Sequence, residues 1–174
     1  MKRWFTASRF LDLLAVAVIA FVAYRLLIAP RVFSAKAQPA PHVTYQSLSG
    51  PPFVLTQHHG RVVFLDFWAS WCEPCKLSLP LVESFARAHP EVDVVPVDEG
   101  EPKPLVSEYA KQHGLTHVAL DTAMLSQGFF QLDGFPTIVV IDPQGRIRAT
   151  WQGYNPAVEL NMSNAEQSLA HASS

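Results

Sequence analysis

The chain has 174 residues, of which 49% are hydrophobic and two are cysteines, and its formal net charge at pH 7 is −2. This length predicts one folded domain of ordinary size, and the hydrophobic fraction excludes a disordered chain. Because the charge is balanced and gives no basic footprint, we predict no nucleic-acid partner.

The N-terminal residues 1–37 differ from the rest of the chain. Basic residues precede an uncharged apolar run over residues 13–24, and the wider span 10–29 is long enough to cross a membrane. We therefore predict an N-terminal membrane segment, an uncleaved anchor followed by the start of a proline-containing linker. Residues 38–174 form the predicted folded domain.

Two other interpretations of the N-terminal segment stay open. The short apolar run is also typical of a cleaved secretory signal, with Ala35-Lys36-Ala37 as the cleavage site, and a buried core helix is the third alternative. We favour the anchor because Pro30 and Arg31 make the path to that cleavage site long and polar. Both the anchor and the signal export the folded domain.

Strands and helices alternate along the folded part. Short strands are predicted over residues 43–48 and 53–55, and a buried strand over Val62–Trp68, which is rich in β-branched and aromatic residues. A helix begins near Cys72, and Pro80 inside it predicts a kink. The buried face of this helix is predicted at Cys75, Leu79, Val82 and Phe85.

The second half continues the alternation and ends in a hairpin. In order we predict a strand over 92–97, a helix over 104–113 closed by Gly114, a strand over 118–120, a helix over 122–131, a strand over 137–141, a turn at 143–145 and a strand over 146–151. The last helix has two possible starts, Asn155-Pro156 and Ser163 with Glu166. This order predicts an α/β fold with a mixed central sheet flanked by helices.

Cys72 and Cys75 are the only cysteines and stand two residues apart where the buried strand meets the following helix. Unpaired backbone N–H groups and the positive helix end favour a thiolate at that point. A Cys-x-x-Cys pair can attack a substrate disulfide with one sulfur and then close its own ring. The pattern therefore predicts redox chemistry.

A structural disulfide and half of a zinc site are the other interpretations of the pair. A disulfide across so short a loop would constrain the unfolded chain little, and a closed zinc site needs two further ligands. His58 and His59 are adjacent, so on a strand they would point to opposite faces. We interpret both as solvated loop residues and predict no metal.

Two motifs carry a family resemblance: Asp66-Phe67-Trp68-Ala69-Ser70-Trp71-Cys72-Glu73-Pro74-Cys75-Lys76 followed by Pro80, and Gly134-Phe135-Pro136-Thr137. Over roughly residues 43–172 the chain resembles a thioredoxin-fold protein. The N-terminal anchor, the Glu-Pro between the cysteines and the extra strand-helix segment over 92–120 make it similar to the TlpA/ResA branch, bacterial membrane-tethered thiol-disulfide oxidoreductases.

The resemblance implies roles for the residues around the cysteines. Cys72 would be the exposed nucleophile and Cys75 the buried resolving thiol. Pro136 would be a cis-proline facing Cys72, leaving the backbone of Phe135 free to pair with a substrate strand, whereas a trans proline that opens the strand is the alternative. Trp68, Trp71 and Phe135 would supply an apolar rim for peptide recognition, although a tryptophan in the strand position of Trp68 is more often part of the core.

Glu73 and Pro74 tune the pair. Pro74 removes a backbone donor where the helix start needs none. Glu73 either disfavours the neighbouring thiolate by its negative charge or is merely a solvated first-turn acid. The acidic segment Asp98-Glu99-Gly100-Glu101 is predicted to be a solvated turn.

Asp66 interrupts an apolar strand at the position of the buried acid of thioredoxins, which accepts the proton of the resolving cysteine. Many members of the branch carry an amide there, so Asp66 points to the general thioredoxin mechanism. Burial should raise its pKa, as a base for Cys75 requires, whereas the alternative is an acid satisfied by hydrogen bonds. The lysine that accompanies this acid in thioredoxins is missing, since the corresponding strand has Val94-Val95-Pro96-Val97.

The resemblance implies an exported reductase that needs no cofactor, reduces a protein disulfide and is re-reduced by a membrane electron donor. Its substrate would be an apocytochrome c during cytochrome c maturation, although general periplasmic disulfide reduction fits equally. The catalytic domain would lie on the periplasmic or extracytoplasmic side of a bacterial cell membrane, or in the periplasm after cleavage. A disulfide oxidant and a copper-handling module, whose known relatives have three residues between the cysteines, are the alternatives.

Overall fold

The computed structural model describes residues 12–20 and 37–170. The chain divides into two compact units, Met1–Arg31 and Val32–Ser174. In the first unit, residues 12–20 lie in a helix, α1, and expose apolar side chains such as Leu13 and Ile19. Most of the proposed membrane span over 10–29 lies outside the described residues.

None of the helices in the described ranges combines the length and the apolar character that a membrane crossing requires.

The second unit contains eight strands and four helices among its described residues. The strands are β1 (Gln38–Pro39), β2 (Thr44–Ser47), β3 (Phe53–Val54), β4 (Val63–Trp68), β5 (Asp93–Glu99), β6 (Ala119–Asp121), β7 (Thr137–Ile141) and β8 (Arg146–Gln152). The helices are α2 (Glu73–Ala88), α3 (Lys103–His113), α4 (Leu125–Phe130) and α5 (Val158–Ala170), with a short 3-10 helix over Leu55–His58.

The strands form one mixed sheet in the order β1-β8-β7-β4-β5-β6-β2-β3. Strands β4, β5 and β6 run parallel, β7 runs antiparallel to β4, and β8 runs antiparallel to β7. Every residue of the central strand β4 is buried. The carboxyl ends of β4 and β5 meet at one edge of the sheet, which is where ligands and chemistry gather in open α/β sheets.

Alternate residues of β4 face two different cores. Val63, Leu65 and Phe67 join a cluster that includes Phe130 of α4. Phe64 packs with Phe85 of α2, and the other residues of that face look toward the same helix. Asp66 lies between Phe64 and Trp68 on the α2 face, and it is the single charged residue of this strand.

The predicted α/β architecture with a mixed sheet is confirmed, and most predicted bounds lie within two residues of the observed ones. The predicted buried face of α2 is confirmed, and α3 ends at Gly114 in the left-handed conformation as expected. The predicted helix over 122–131 is shortened to α4, because Met124 before it and Gln131 after it both adopt the left-handed conformation.

The last helix begins at the first of its two possible starts and is not divided. Asn155 Oδ1 accepts a hydrogen bond from the N–H of Ala157 at 2.8 Å, which satisfies a donor at the helix start. Ser163 therefore lies inside α5, and the capping box predicted at Ser163 and Glu166 is not used as a start.

Candidate active site

A tight turn carries the chain from β4 into α2 and places Cys72 at the helix start. The N–H of Cys72 donates to the carbonyl of Ala69 at 3.1 Å, which closes a four-residue turn. Cys72 is the N-cap of α2, and its sulfur accepts a hydrogen bond from the N–H of Cys75 at 3.2 Å. The first sulfur thus lies in the field of the helix N-terminus, which stabilises a thiolate.

Cys72 and Cys75 form a disulfide with a Cα–Cα distance of 5.2 Å. Cys75 is fully buried, as expected, but Cys72 is buried as well, with 5% of its surface exposed, so the exposure expected of the nucleophile is wrong for the disulfide form. The reason is that Cys72 packs in an apolar cluster with Trp68, Ala69 and Leu79. A substrate therefore reaches the pair through a narrow opening.

The Phe135–Pro136 bond is cis, as predicted. Phe135 is partly buried and packs against the cluster that contains both cysteines. Its ring lies 6.0 Å from that of Trp71 in an edge-on arrangement, and Trp71 is 62% exposed. The expected aromatic rim beside Cys72 is therefore present, while the approach of Pro136 to the Cys72 sulfur stays a prediction.

Asp66 is fully buried, and neither of its carboxylate oxygens has a hydrogen-bond partner among the described residues. Burial raises the pKa of Asp66 to about 8, with a smaller contribution from the carboxylate of Glu83. The alternative of an acid satisfied by neighbouring hydrogen bonds is therefore wrong. Its role toward Cys75 stays a prediction.

Pro96 of β5 is the residue paired with Asp66 in the sheet, and β5 contains no lysine, as the sequence indicated. The nearby acid that influences Asp66, Glu83, is itself buried and accepts hydrogen bonds from the N–H and hydroxyl of Thr116. A buried carboxyl with an anionic neighbour holds its proton near neutral pH. Such a group can exchange a proton with a thiol.

Glu73 and Pro74 occupy the first turn of α2. The Glu73 side chain is 80% exposed, and its carboxylate pairs with Lys76 Nζ at 2.5 Å. The hydrogen bond that Lys76 donates to Glu73 raises the pKa of Lys76. The structure thus favours the interpretation of Glu73 as a solvated first-turn acid whose charge is compensated.

The predicted solvated turn after β5 is wrong. Asp98, Glu99 and Glu101 are all buried. Glu101 accepts two hydrogen bonds from Ser70, from its N–H at 2.5 Å and from its hydroxyl at 2.6 Å. Sequence reasoning missed this contact. The signal for it was that β4 leads into the Cys72 turn and β5 leads into the acidic segment, because parallel pairing of these two strands brings their carboxyl ends together.

The histidines beside the strand β4 do not form a metal site with the cysteines. His58 is not a solvated loop residue, because its Nδ1 lies 2.8 Å from Asp93 Oδ2 and its ring packs on Phe53. Over residues 12–20 and 37–170, the one group of three potential ligands is His89, Glu91 and Glu166, whose ligand atoms lie within 4.8 Å of one another. His89 caps the far end of α2 from Cys72.

Known proteins resemble this chain both in sequence and in structure. A family model described as thioredoxin-like matches residues 60–147. ResA of Bacillus subtilis, named a thiol-disulfide oxidoreductase, is 28% identical over 138 residues, which cover 78% of this chain and 77% of ResA. ResA of Geobacillus thermodenitrificans is 28% identical over 139 residues, or 78% of this chain and 80% of that protein.

Solved structures give the same result. A putative thiol:disulfide interchange protein DsbE from Chlorobium tepidum superimposes with a TM-score of 0.72 and 26% identity, covering 78% of this chain and 98% of that one. StoA from Bacillus subtilis gives a TM-score of 0.62 and 28% identity, covering 72% and 99%. The chain belongs to the thioredoxin-like family, and its Cys72–Cys75 pair has the chemistry of a thiol-disulfide oxidoreductase.

Proposed function

We propose that this protein is an exported reductase of protein disulfides, held at a bacterial membrane by its N-terminal segment. The observation that carries the proposal is the Cys72–Cys75 pair at the start of α2, with Cys72 accepting a helix N–H and Cys75 completely buried behind it. That arrangement separates an attacking sulfur from a resolving one.

The reaction is a two-electron exchange. The Cys72 thiolate attacks one sulfur of the substrate disulfide, a mixed disulfide forms, and one substrate thiolate leaves. Cys75 then loses its proton and attacks the Cys72 sulfur, which releases the second substrate thiol and closes the Cys72–Cys75 disulfide. The substrate gains two electrons and the protein loses them.

The surface around the pair suits an extended peptide. Trp71 exposes most of its ring beside the opening, and Phe135 contacts it edge-on. Aromatic rings give a large contact area at little entropic cost. Pro136, directly before β7, has no backbone N–H, so it leaves the backbone of Phe135 free to pair with a substrate strand. Segments around a substrate cysteine would lie across Trp71, Phe135 and Pro136.

The electrostatics favour the reducing direction. The Glu101 carboxylate accepts hydrogen bonds from Ser70 in the turn that bears Cys72, and a negative charge there destabilises a thiolate relative to a neutral disulfide. The pair would therefore give up its electrons readily. Since exported compartments are oxidising, a membrane electron donor must re-reduce the pair, and a membrane anchor would keep both at high effective concentration.

The reduction potential tests the direction of the reaction. Equilibration of the purified protein with glutathione should give a value nearer to about −270 mV, as in thioredoxin, than to about −120 mV, as in DsbA. A value near the oxidising end would assign the protein as a disulfide oxidant. It would leave the fold and the exchange chemistry unchanged.

Trapping tests the substrate. Cys75→Ser should accumulate mixed disulfides through Cys72 in cells, because the intramolecular resolving step is lost, whereas Cys72→Ser should trap none. Mass spectrometry of the captured proteins identifies the substrate class. Apocytochrome c, with its haem-attachment cysteines, is the substrate we propose, and a broad set of exported proteins without it would replace that proposal by general disulfide reduction.

A further inference from the structure

The turn that delivers Cys72 is held from outside by a carboxylate. Its closing hydrogen bond joins Ala69 and Cys72, and Ser70 and Trp71 are its central residues. Ser70 turns its N–H and its hydroxyl toward Glu101, at 2.5 and 2.6 Å. Each oxygen of Glu101 accepts one of these bonds, which is the pattern of an ionised carboxylate.

Glu101 is itself fixed in place. It is buried, with 8% of its surface exposed, and its N–H donates to Asp98 Oδ1 at 3.2 Å. Gly100 just before it adopts a φ of 86°, and its N–H donates to the carbonyl of Asp121 at 3.1 Å. Asp98 in turn lies beside Trp68 in the register of β4 and β5. The carboxylate therefore reaches the Cys72 turn from a rigid support.

We propose that Glu101 is a positioning residue for thiol-disulfide exchange, which fixes the turn bearing Trp71 and Cys72 and makes the cysteine pair more reducing by its negative charge. The positioning part follows from the two bonds to Ser70. The effect of the charge on Cys72 is expected because Ser70, which Glu101 contacts, lies two residues before Cys72 in the same tight turn. A carboxylate held there opposes the charge that appears on Cys72 only in the reduced state.

Other titratable groups around the turn do not cancel this charge. Burial and then Glu101 raise the pKa of Asp98 to about 8, so Asp98 is mostly protonated at pH 7. Glu99 lies next to Asp98 and Asp66 is on β4, and both are mostly protonated at that pH because burial raises their pKa values to about 8. Tyr109 on α3 is an uncharged phenol at that pH, and burial raises its pKa further. On α2, Glu73 and Lys76 compensate each other.

Glu101→Gln separates charge from geometry. The amide oxygen can accept from the Ser70 N–H and the amide nitrogen can donate to the Ser70 hydroxyl, so the turn is kept while the charge is removed. Glu108→Gln is the matched control, since Glu108 is exposed on α3 and its carboxylate accepts a hydrogen bond from the Gln112 amide. Both variants are compared with the wild type as the full chain in detergent.

The expected result for Glu101→Gln is a lower pKa of Cys72, followed through the ultraviolet absorbance of its thiolate. We also expect a roughly tenfold shift of the glutathione equilibrium toward the dithiol, the effect of about one pKa unit. Glu108→Gln should change neither. An unchanged Cys72 pKa and an unchanged equilibrium in Glu101→Gln would overturn the charge part of the proposal.

Glu101→Ala and Ser70→Ala test the positioning part. Ser70→Ala removes one of the two bonds and keeps the carboxylate, so it should slow the attack of Cys72 on a disulfide at a fixed thiolate fraction without changing the glutathione equilibrium. Glu101→Ala should slow the attack further and also shift the equilibrium. If both variants fold and attack as fast as the wild type, the positioning role is wrong.

The inference applies to exchange in either direction and so does not depend on the reductase assignment. The absolute potential of the wild type tests that assignment. The difference between Glu101→Gln and the wild type tests Glu101.

Discussion

Asp66 is the residue whose environment departs most from that of an ordinary surface acid. Both of its oxygens are buried without a partner among the described residues, and burial raises its pKa to about 8. An acid of that pKa is protonated at rest and can cycle its proton near neutral pH. It lies on the sheet face that α2 covers, the helix that carries Cys75.

Asp66→Asn should slow the resolving step far more than the initial attack. Resolution requires Cys75 to lose its proton, which the ionised fraction of Asp66 can accept and an amide cannot, so we expect a loss of about 100-fold in that step. Stopped-flow measurement of formation and decay of a mixed disulfide separates the two rates. If both rates equal those of the wild type, Asp66 does not relay the proton of Cys75.

The sequence shows Cys72, Cys75 and Asp66 because each stands out from its surroundings: two isolated thiols after a strand and one acid within it. The contact of Ser70 with Glu101 is not visible in the same way. These residues lie 31 positions apart, and acids that follow a strand usually face solvent. Only the pairing of the ends of β4 and β5 brings them together, and that pairing is a tertiary fact.

At the scale of elements, α5 depends on packing against the rest of the domain. Met162 is fully buried with Phe64, Val82 and Phe85, in a cluster that joins β4, α2 and α5. This burial fixes the continuous helix, whereas its sequence offers two starts. The length of α4 is set by the left-handed conformation of Met124 and Gln131 at its two ends, which a helical sequence pattern does not reveal.

Met162→Ala should lower the free energy of unfolding by about 2–5 kcal/mol, because it leaves a cavity where the side chain packed. Leu160→Ala on the same helix is the control. Leu160 is 50% exposed, so its truncation should change stability by at most about 0.5 kcal/mol. Urea denaturation of the oxidised proteins measures both, and equal losses would show that α5 does not pack as described.

At the scale of the whole molecule, the domain carries more buried acids than a stable core needs. Burial is the first cause that raises the pKa values of Asp66, Asp98 and Glu99 to about 8. In the unfolded chain the same groups titrate near 3.8 for Asp and 4.5 for Glu. Between these values the folded protein therefore binds protons that the unfolded chain has released.

Stability should fall as the pH rises from about 5 to about 8 and then level off. A state that holds extra protons loses up to about 1.4 kcal/mol for each group and pH unit. Urea denaturation across this range measures the slope, and Asp66→Asn should make it shallower while raising stability at pH 8. A stability that increases from pH 5 to pH 8 would contradict the assigned protonation of these acids.

The order of elements along the chain predicts the fold class, because strands followed by helices give parallel pairs and the closing hairpin adds antiparallel ones. The sheet order is less accessible. Strand β2 joins the sheet beside β6, more than seventy residues later, and β1 joins beside β8 at the other side. Such pairings depend on which edge remains open once the centre has formed.

The two edge strands of this sheet have only two residues each, β1 (Gln38–Pro39) and β3 (Phe53–Val54). A long exposed edge strand has unpaired N–H and C=O groups to which a second copy can add its own strand, which is how many β-rich proteins polymerise. Edge strands of two residues, one of which contains Pro39 without a backbone N–H, offer almost no template for such strand addition. Copies of the domain should therefore stay separate, and sedimentation at high protein concentration should show monomers of the domain.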